Sequence, residues 1–418
     1  MMDADKALTM RHPTWLQRVA RKLVHRRLAA LPAGGLSLYE PDGALVRFGN
    51  GDACLHISDW DCYRRMMTGG ALGAAEAYMD GGWDSPDLVA VMRYFAANVN
   101  VIRSLESGTA LLAKPLLKAL HFANRNSVNG SRRNIAAHYD LGNAFFSLFL
   151  DARMMYSSAI YPDPEADLET AALHKLDLIC RRLRLREGMH LLEIGTGWGG
   201  LAIYAARHYG VRVTTTTLSR EQAYYAREEI KKAGLENRIE VLERDYRELA
   251  GTYDRVVSVE MVEAVGHQYL SGYFRILDHL LKPDGMLLLQ AITVPEQRYE
   301  YARDNVDFIK RYIFPGGFLP SVTVMCDALR RHTRLVPVAL HDIGLDYART
   351  LGHWRERFVS ALPKISEMGF DERFCRMWNY YLCYCQGAFL ERAISTVHLV
   401  AIGEQYRDEV NPLRSRHP

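Results

Sequence analysis

From Met189 onward the chain alternates short apolar runs with amphipathic stretches, and this alternation restricts the fold more than any other feature. His190–Ile194 suits a buried strand, and Leu201–Tyr209 suits a helix closed by Gly210. Val211–Leu218 is β-branched and strand-like. Ser219-Arg220-Glu221-Gln222 reads as a capping box that opens a helix ended by Gly234. Further strands are expected at Ile239–Leu242, Arg255–Val259 and Met286–Ile292, and a last one at Ile394–Ile402. The helix Tyr269–Leu281 and a turn at Pro283-Asp284-Gly285 separate Arg255–Val259 from Met286–Ile292. Strands and helices at this spacing predict a doubly wound α/β fold, a parallel sheet covered on both faces. Ligands of such sheets sit beyond the carboxyl ends of the strands.

The N-terminal part follows other rules. A basic, helical segment opens it, with Lys6, Arg11, Arg18, Arg21, Lys22, Arg26 and Arg27 against Asp3 and Asp5. Such a local excess suits an anionic lipid surface or a solvated basic face. Turn-rich stretches follow (Pro32-Ala33-Gly34-Gly35, Pro41-Asp42-Gly43), with a strand-like run at Ala44–Phe48 and a turn at Asp80-Gly81-Gly82-Trp83. We therefore expect a smaller N-terminal domain over 1–120 and a larger domain over 121–418. Beyond Thr293 lies an aromatic-rich insertion, Gln297–Pro320, and then helical stretches near Leu345–Leu362 and Asp371–Ala393.

Composition excludes several classes. The formal net charge of the 418 residues is only +3, so no strong nucleic-acid field arises. Seven scattered cysteines, with Cys383 and Cys385 the closest pair and no CxxC, suggest reduced thiols in a cytoplasmic protein without a metal site. No apolar run approaches the ~20 residues of a membrane span. The N-terminus lacks the apolar core of a signal peptide. Membrane contact would be peripheral.

The turn Glu193-Ile194-Gly195-Thr196-Gly197-Trp198-Gly199-Gly200 follows a strand and opens a helix, so backbone amides can approach a ligand at a helix N-terminus. GxGxxG alone is shared with dinucleotide enzymes. Those expect an acid about 20 residues further on, where this chain has Thr214-Thr215-Thr216-Thr217-Leu218. Instead Glu193 precedes the first glycine, where it can order the loop. Asp245 follows the third strand, where it can accept from an adenine amino group, and Tyr246 can stack on the ring. That mixture suits S-adenosylmethionine.

Several stretches then share one order with a known family: His138-Tyr139-Asp140-Leu141-Gly142-Asn143, Met155-Tyr156-Ser157-Ser158-Ala159, Leu218-Ser219-Arg220-Glu221-Gln222, Asp245-Tyr246-Arg247 and Tyr312-Ile313-Phe314-Pro315-Gly316-Gly317. With Tyr78-Met79-Asp80-Gly81 and Trp83, the chain resembles the cyclopropane-fatty-acyl-phospholipid synthases, relatives of the mycolic acid cyclopropane synthases, over nearly its whole length. The resemblance implies a class I S-adenosylmethionine-dependent methyltransferase sheet with a smaller N-terminal lipid-binding domain. It implies methyl transfer to a cis double bond of a phospholipid acyl chain, after which a bound bicarbonate removes a proton and the ring closes. An alkene is a weak nucleophile, so rate must come from alignment. The cation must also be kept dry, and aromatic faces can stabilise it. Candidates for those faces include Tyr139, Phe145, Phe146, Tyr156, Tyr269, Tyr273, Tyr299, Phe308, Tyr312, Phe314 and Phe318, most of which a plain packing role would also explain.

Carried over residue by residue, the resemblance places Tyr156, Ser157, Gly195, Gly197, Thr217, Leu218, Gln222, Asp245 and Tyr246 at the cofactor, beside Glu193 and Gly199 of the loop. Its anion pocket maps onto Glu263, Ile292 and Tyr347, with Ser158 at the family's Cys position and Gln290 at its His position, residues that some synthases also carry. A hydroxyl and an amide can each donate to an anion. Glu263 could orient bicarbonate or act as base itself; Glu260 is a second carboxylate candidate. The same methyl transfer with proton loss to an alkene, giving a methyl-branched unsaturated chain, is the principal alternative. A methyltransferase for a small soluble acceptor and a non-catalytic lipid-binding protein are more distant ones. The oligomeric state stays open between monomer and homodimer.

Overall fold

A computed structural model describes residues 12–105 and 141–407. The chain divides into two compact units, each described here by itself: residues 1–124, 304–315 and 347–394, and residues 125–303, 316–346 and 395–418. The boundary expected at 120/121 lies outside the described residues. Segments 304–315 and 347–394, which the sequence alone assigns to the larger domain, cluster with the first unit.

The first unit carries a four-stranded sheet in the order β2-β1-β3-β4, formed by Gly35–Tyr39 (β1), Leu45–Gly49 (β2), Ala53–Ile57 (β3) and Trp83–Asp84 (β4). Its first helix, Trp15–Leu28, starts on a full capping box between Thr14 and Gln17 and buries Ala20, Val24 and Leu28. The helix Asp61–Met79 is bent at Gly70, whose φ of 57° breaks the helical run. The helix Glu372–Leu390 packs closely enough on Leu88–Ala97 that a Cβ on Gly387 would lie 2.7 Å from that of Met92. Rings from the recruited segments fill this unit. Phe308 lies 4.7 Å from Tyr380, and Tyr347 stacks on Phe389 at 4.6 Å.

The second unit is built on seven strands in the order β10-β11-β9-β8-β5-β6-β7. These are His190–Ile194 (β5), Arg212–Thr216 (β6), Ile239–Leu242 (β7), Tyr253–Val259 (β8), Leu281–Thr293 (β9), Val336–Asp342 (β10) and Ser395–Ile402 (β11). Strands β5 to β9 are parallel, as expected, whereas β11 runs antiparallel to both β9 and β10. The sheet is therefore mixed, not wholly parallel. Strand β10 escaped the sequence because it is exposed along most of its length and shows no burial alternation. The turn expected at Pro283-Asp284-Gly285 is instead an irregularity inside β9, where pairing slips between Tyr253↔Leu281 and Arg255↔Met286.

Successive residues of the central strands feed opposite faces. Leu192 and Ile194 join Phe274, Leu277 and Leu329, whereas Leu191 joins Ile179, Ala205 and Leu288. Both faces are covered, which near-continuous apolar strands require. The chain winds outward from β5 to β7, then returns to lay β8 on β5's other side. That reversal puts a crevice beyond the carboxyl ends of β5 and β8. No helix among the described residues is long and apolar enough to cross a membrane.

Candidate active site

Strand β5 delivers its chain into the glycine turn with φ of +100° at Gly195, +51° at Gly197 and +90° at Gly199, conformations that side chains resist. A Cβ on Gly200 would lie 2.7 Å from Met155 Sδ and 3.0 Å from the Arg153 carbonyl. The Gly195 and Thr196 amides both donate to the Thr216 carbonyl at 3.0 Å, tying the turn to the end of β6. Glu193 is buried beneath it and accepts from Thr215 Oγ1 at 2.6 Å. Burial pushes its carboxyl up to about 8. Trp198 is buried, donates to Asn143 Oδ1 at 2.6 Å and meets Phe146 at 5.3 Å, which in turn meets Tyr156 at 5.2 Å. A backbone cradle too tight for side chains, over a buried acid and beside aromatic rings, fits an adenosyl sulfonium cofactor.

The next helix start departs from expectation in a useful way. Ser219 accepts from the Gln222 amide at 3.3 Å, but the Gln222 side chain does not complete a capping box. Its Oε1 accepts from Thr217 Oγ1 at 3.1 Å, fixing both residues together beside Leu218. Asp245 is buried, with Arg247 bonding both oxygens at 2.7 and 2.8 Å. The carboxylate expected to receive an adenine amino group is thus already held in place by an arginine. Tyr246 sits edge-on to Tyr273 at 5.3 Å.

Beyond β8 the chain turns sharply at Glu260, whose φ of 48° is unusual for a non-glycine residue. This segment borders the cradle, since Met261 lies 3.5 Å from where a Cβ of Gly195 would be. Glu263 Oε1 accepts from the Ile292 amide at 2.6 Å. Its Oε2 is buried and has no hydrogen-bond partner among the described residues. Burial, then the neighbouring charge of Glu260, pushes this carboxyl up to about 8.

Gln290 and Ser158 are both buried here, but neither offers a donor to an anion. One Gln290 amide hydrogen goes to Glu260 Oε1 at 2.7 Å and the other to the Ser158 carbonyl at 3.3 Å. The Ser158 hydroxyl donates to the Ala159 carbonyl at 2.8 Å, and its amide donates to Glu260 Oε1 at 2.9 Å. The Ser158 and Gln290 donors are therefore spent within the protein, on Glu260 and on the Ser158 and Ala159 carbonyls. Tyr347 belongs to the first unit, where it stacks on Phe389. His138-Tyr139-Asp140 lie outside the described residues.

The sequence reading missed two groups that hold this pocket. His398 on β11 pairs across the sheet with Gln290 on β9. Arg182 donates to its Nδ1, so the proton sits on Nε2, which donates to Gln290 Oε1 at 2.8 Å. Burial, then the Arg182 charge, holds His398 well below its ordinary value, in the neutral form this chain of bonds needs. Lys175 is fully buried and donates to Ser157 Oγ at 2.7 Å. Burial pulls its ammonium down to about 8, against the opposing pull of Glu260 and Asp151. Only long-range pairing across β9 and β11, or helix phase, would have revealed either.

The sheet order and the glycine cradle at its switch point define a class I S-adenosylmethionine-dependent methyltransferase. The pattern described as mycolic acid cyclopropane synthetase matches residues 126–399, and the chain belongs to that family. It is 39% identical to the tuberculostearic acid methyltransferase UfaA1 of Mycobacterium tuberculosis, over 89% of this chain and 88% of that one. It is likewise 39% identical to the cyclopropane-fatty-acyl-phospholipid synthase of Escherichia coli, over 84% and 88%. Among solved structures it is similar to the mycolic acid cyclopropane synthase CmaA1 complexed with SAH and CTAB, at 28% identity and TM-score 0.61, over 65% of this chain and 98% of that one. The chain is thus an S-adenosylmethionine-dependent C-methyltransferase of a lipid-modifying family.

Proposed function

We propose that the enzyme methylates a cis double bond of an unsaturated phospholipid acyl chain and closes a cyclopropane ring, with Glu263 taking the proton. The carrying observation is Glu263 Oε2, a buried, unpartnered carboxyl oxygen on the segment that borders the cofactor cradle. S-adenosylmethionine, when bound, supplies an electrophilic methyl on a sulfonium sulfur. The chain's own residues do the rest. The rings of Phe146, Tyr156 and Trp198 pack on one another beside the glycine turn, where aromatic faces would keep water out and stabilise a developing cation. As the double bond forms its new bond to the methyl carbon, the methyl–sulfur bond would break with its electron pair left on sulfur, the neutral thioether being the leaving group, and positive charge appears on the other alkene carbon. A C–H bond of the added methyl then breaks: its electrons close the ring, and its proton goes to Glu263. A carboxylate held up near 8 is a far stronger base than an exposed one. No step is assigned to bicarbonate, because Gln290 and Ser158 spend their donors on Glu260, Ser158 and Ala159.

The same commitments favour one second reading, in which the proton leaves from the chain and a methyl-branched alkene remains. The name of the relative UfaA1 is in keeping with it. In either reading the substrate is met at a bilayer, by peripheral contact from the cytoplasmic side, with the first unit as the lipid-docking part. Incubation with S-adenosylmethionine and vesicles of unsaturated phospholipid, followed by proton NMR of the released fatty acids, tests this. High-field ring protons support cyclopropanation, retained vinyl protons support the branched product, and no lipid product overturns both.

A further inference from the structure

The helix Trp15–Leu28 shows an outward face that ordinary packing does not explain. Its inner face is spent on Ala20, Val24 and Leu28, and Arg21 is anchored inward on the buried Glu40 at 2.7 Å. On the outer arc Trp15 is 67% exposed, Leu16 60% and Leu23 42%, with Val19 between them. At 100° per residue these four lie beside Arg18, Lys22 and Arg26, all exposed. The helix contains no acidic residue, and among the described residues no carboxylate pairs with Arg18, Lys22 or Arg26. The Thr14–Gln17 capping box holds the first turn, so Trp15 is presented from ordered backbone. A large apolar arc on ordered backbone is costly in water unless something covers it.

We propose that this helix is a bilayer-docking element, seated in the headgroup layer of an anionic phospholipid membrane with Trp15, Leu16, Val19 and Leu23 below the phosphates. The proposal deepens the lipid reading of the first unit and rests on it. Charge chooses the occupant. A second copy of the chain would set Arg18, Lys22 and Arg26 against their own like charges. Residues 106–140 of this chain carry five Lys and Arg against two acids, so they too would meet repulsion. An anionic lipid surface satisfies both halves of the face, as an indole at the interface and lysines and arginines at the phosphates do in interfacial helices.

Trp15 also supplies the reporter. The chain has six tryptophans, and Trp60, Trp83, Trp198, Trp354 and Trp378 are all buried. Full-length protein titrated with vesicles of phosphatidylglycerol and phosphatidylcholine should shift its emission to the blue and float with the vesicles; pure phosphatidylcholine should bind far less. Exchange of Arg18, Lys22 and Arg26 for Glu should weaken binding to the anionic vesicles on the order of a hundredfold. Trp15→Ser should abolish the shift. Each variant should keep the wild-type melting temperature and methylate unsaturated phospholipid dispersed in detergent micelles. Unchanged vesicle affinity in the triple variant, or an unmoved Trp15 emission, overturns the proposal. A wild-type chain that docks but methylates no lipid overturns the functional reading alone.

Discussion

The cofactor cradle and the acid pocket stand at neighbouring strand ends of one sheet, yet they are built in opposite ways. The cradle is local: six consecutive residues after β5, with φ of +100°, +51° and +90° at three glycines, do most of the work. The acid pocket is assembled from four distant segments that bring Ser158, Glu260 with Glu263, Gln290 and His398 together. A local device fails when its backbone is strained. A dispersed one fails when a bond in its chain is cut. The two should therefore separate cleanly: damage to the cradle removes cofactor binding, and damage to the pocket spares it.

The largest effect tests that separation directly. Glu263→Gln keeps an acceptor for the Ile292 amide but cannot take a proton. Product formation should fall by about 10²- to 10⁴-fold, while calorimetry shows cofactor affinity within a factor of two or so of wild type, since the change adds no strain. A large affinity loss in this variant would merge the two regions. Gly195→Ala should do the reverse. At φ +100° an added Cβ costs about 1–3 kcal/mol, so cofactor affinity should drop roughly 5- to 150-fold. Unaltered affinity there would mean that the turn reshapes freely.

That contrast also explains what could be read from the chain before its structure. The cradle, the five parallel strands and their order of appearance announce themselves through contiguous glycines and apolar runs, because their causes are local. Strand β10 does not, since its pairing with β11 is a tertiary fact laid on an exposed segment. The slip at Pro283–Gly285 looks like a turn because proline and glycine mark chain reversal and strand irregularity alike. Gln290 was identified as a pocket residue but its hydrogen bonds were not foreseeable. What commits its amide is His398, 108 residues away. Tyr347 and Glu263 stand in one functional set by resemblance, and the structure places them in different units.

A smaller effect follows from that distant bond. His398→Phe leaves Gln290 Oε1 buried without its donor, a loss of about 1–3 kcal/mol of stability. Gln290 is then free to flip its amide, and turnover should fall roughly tenfold, in keeping with a misplaced neighbour rather than a lost base. His398→Asn restores a donor and should recover part of the rate. Thermal melting and turnover measured together check this; equal losses in both variants would reduce His398 to a packing role.

The smallest and most discriminating effect is a pH shift. The Glu263 carboxyl is raised to about 8 by burial and by the charge of Glu260. If Glu263 is the base, only its ionised form works, and roughly a tenth of it is ionised at pH 7. The rate of ring closure should then climb with pH and level off above about 8. Glu260→Gln removes the neighbouring negative charge while leaving an oxygen to accept from Ser158 and Gln290. The Glu263 value must fall, so the climb moves to lower pH and the rate at pH 7 rises by a small factor. A bound anion relayed by protonated Glu263 demands the opposite: activity that declines as pH passes 8, and that disappears from bicarbonate-depleted buffer. The sign of the slope, measured under single-turnover conditions with and without bicarbonate, decides which carboxyl form the pocket was assembled to hold.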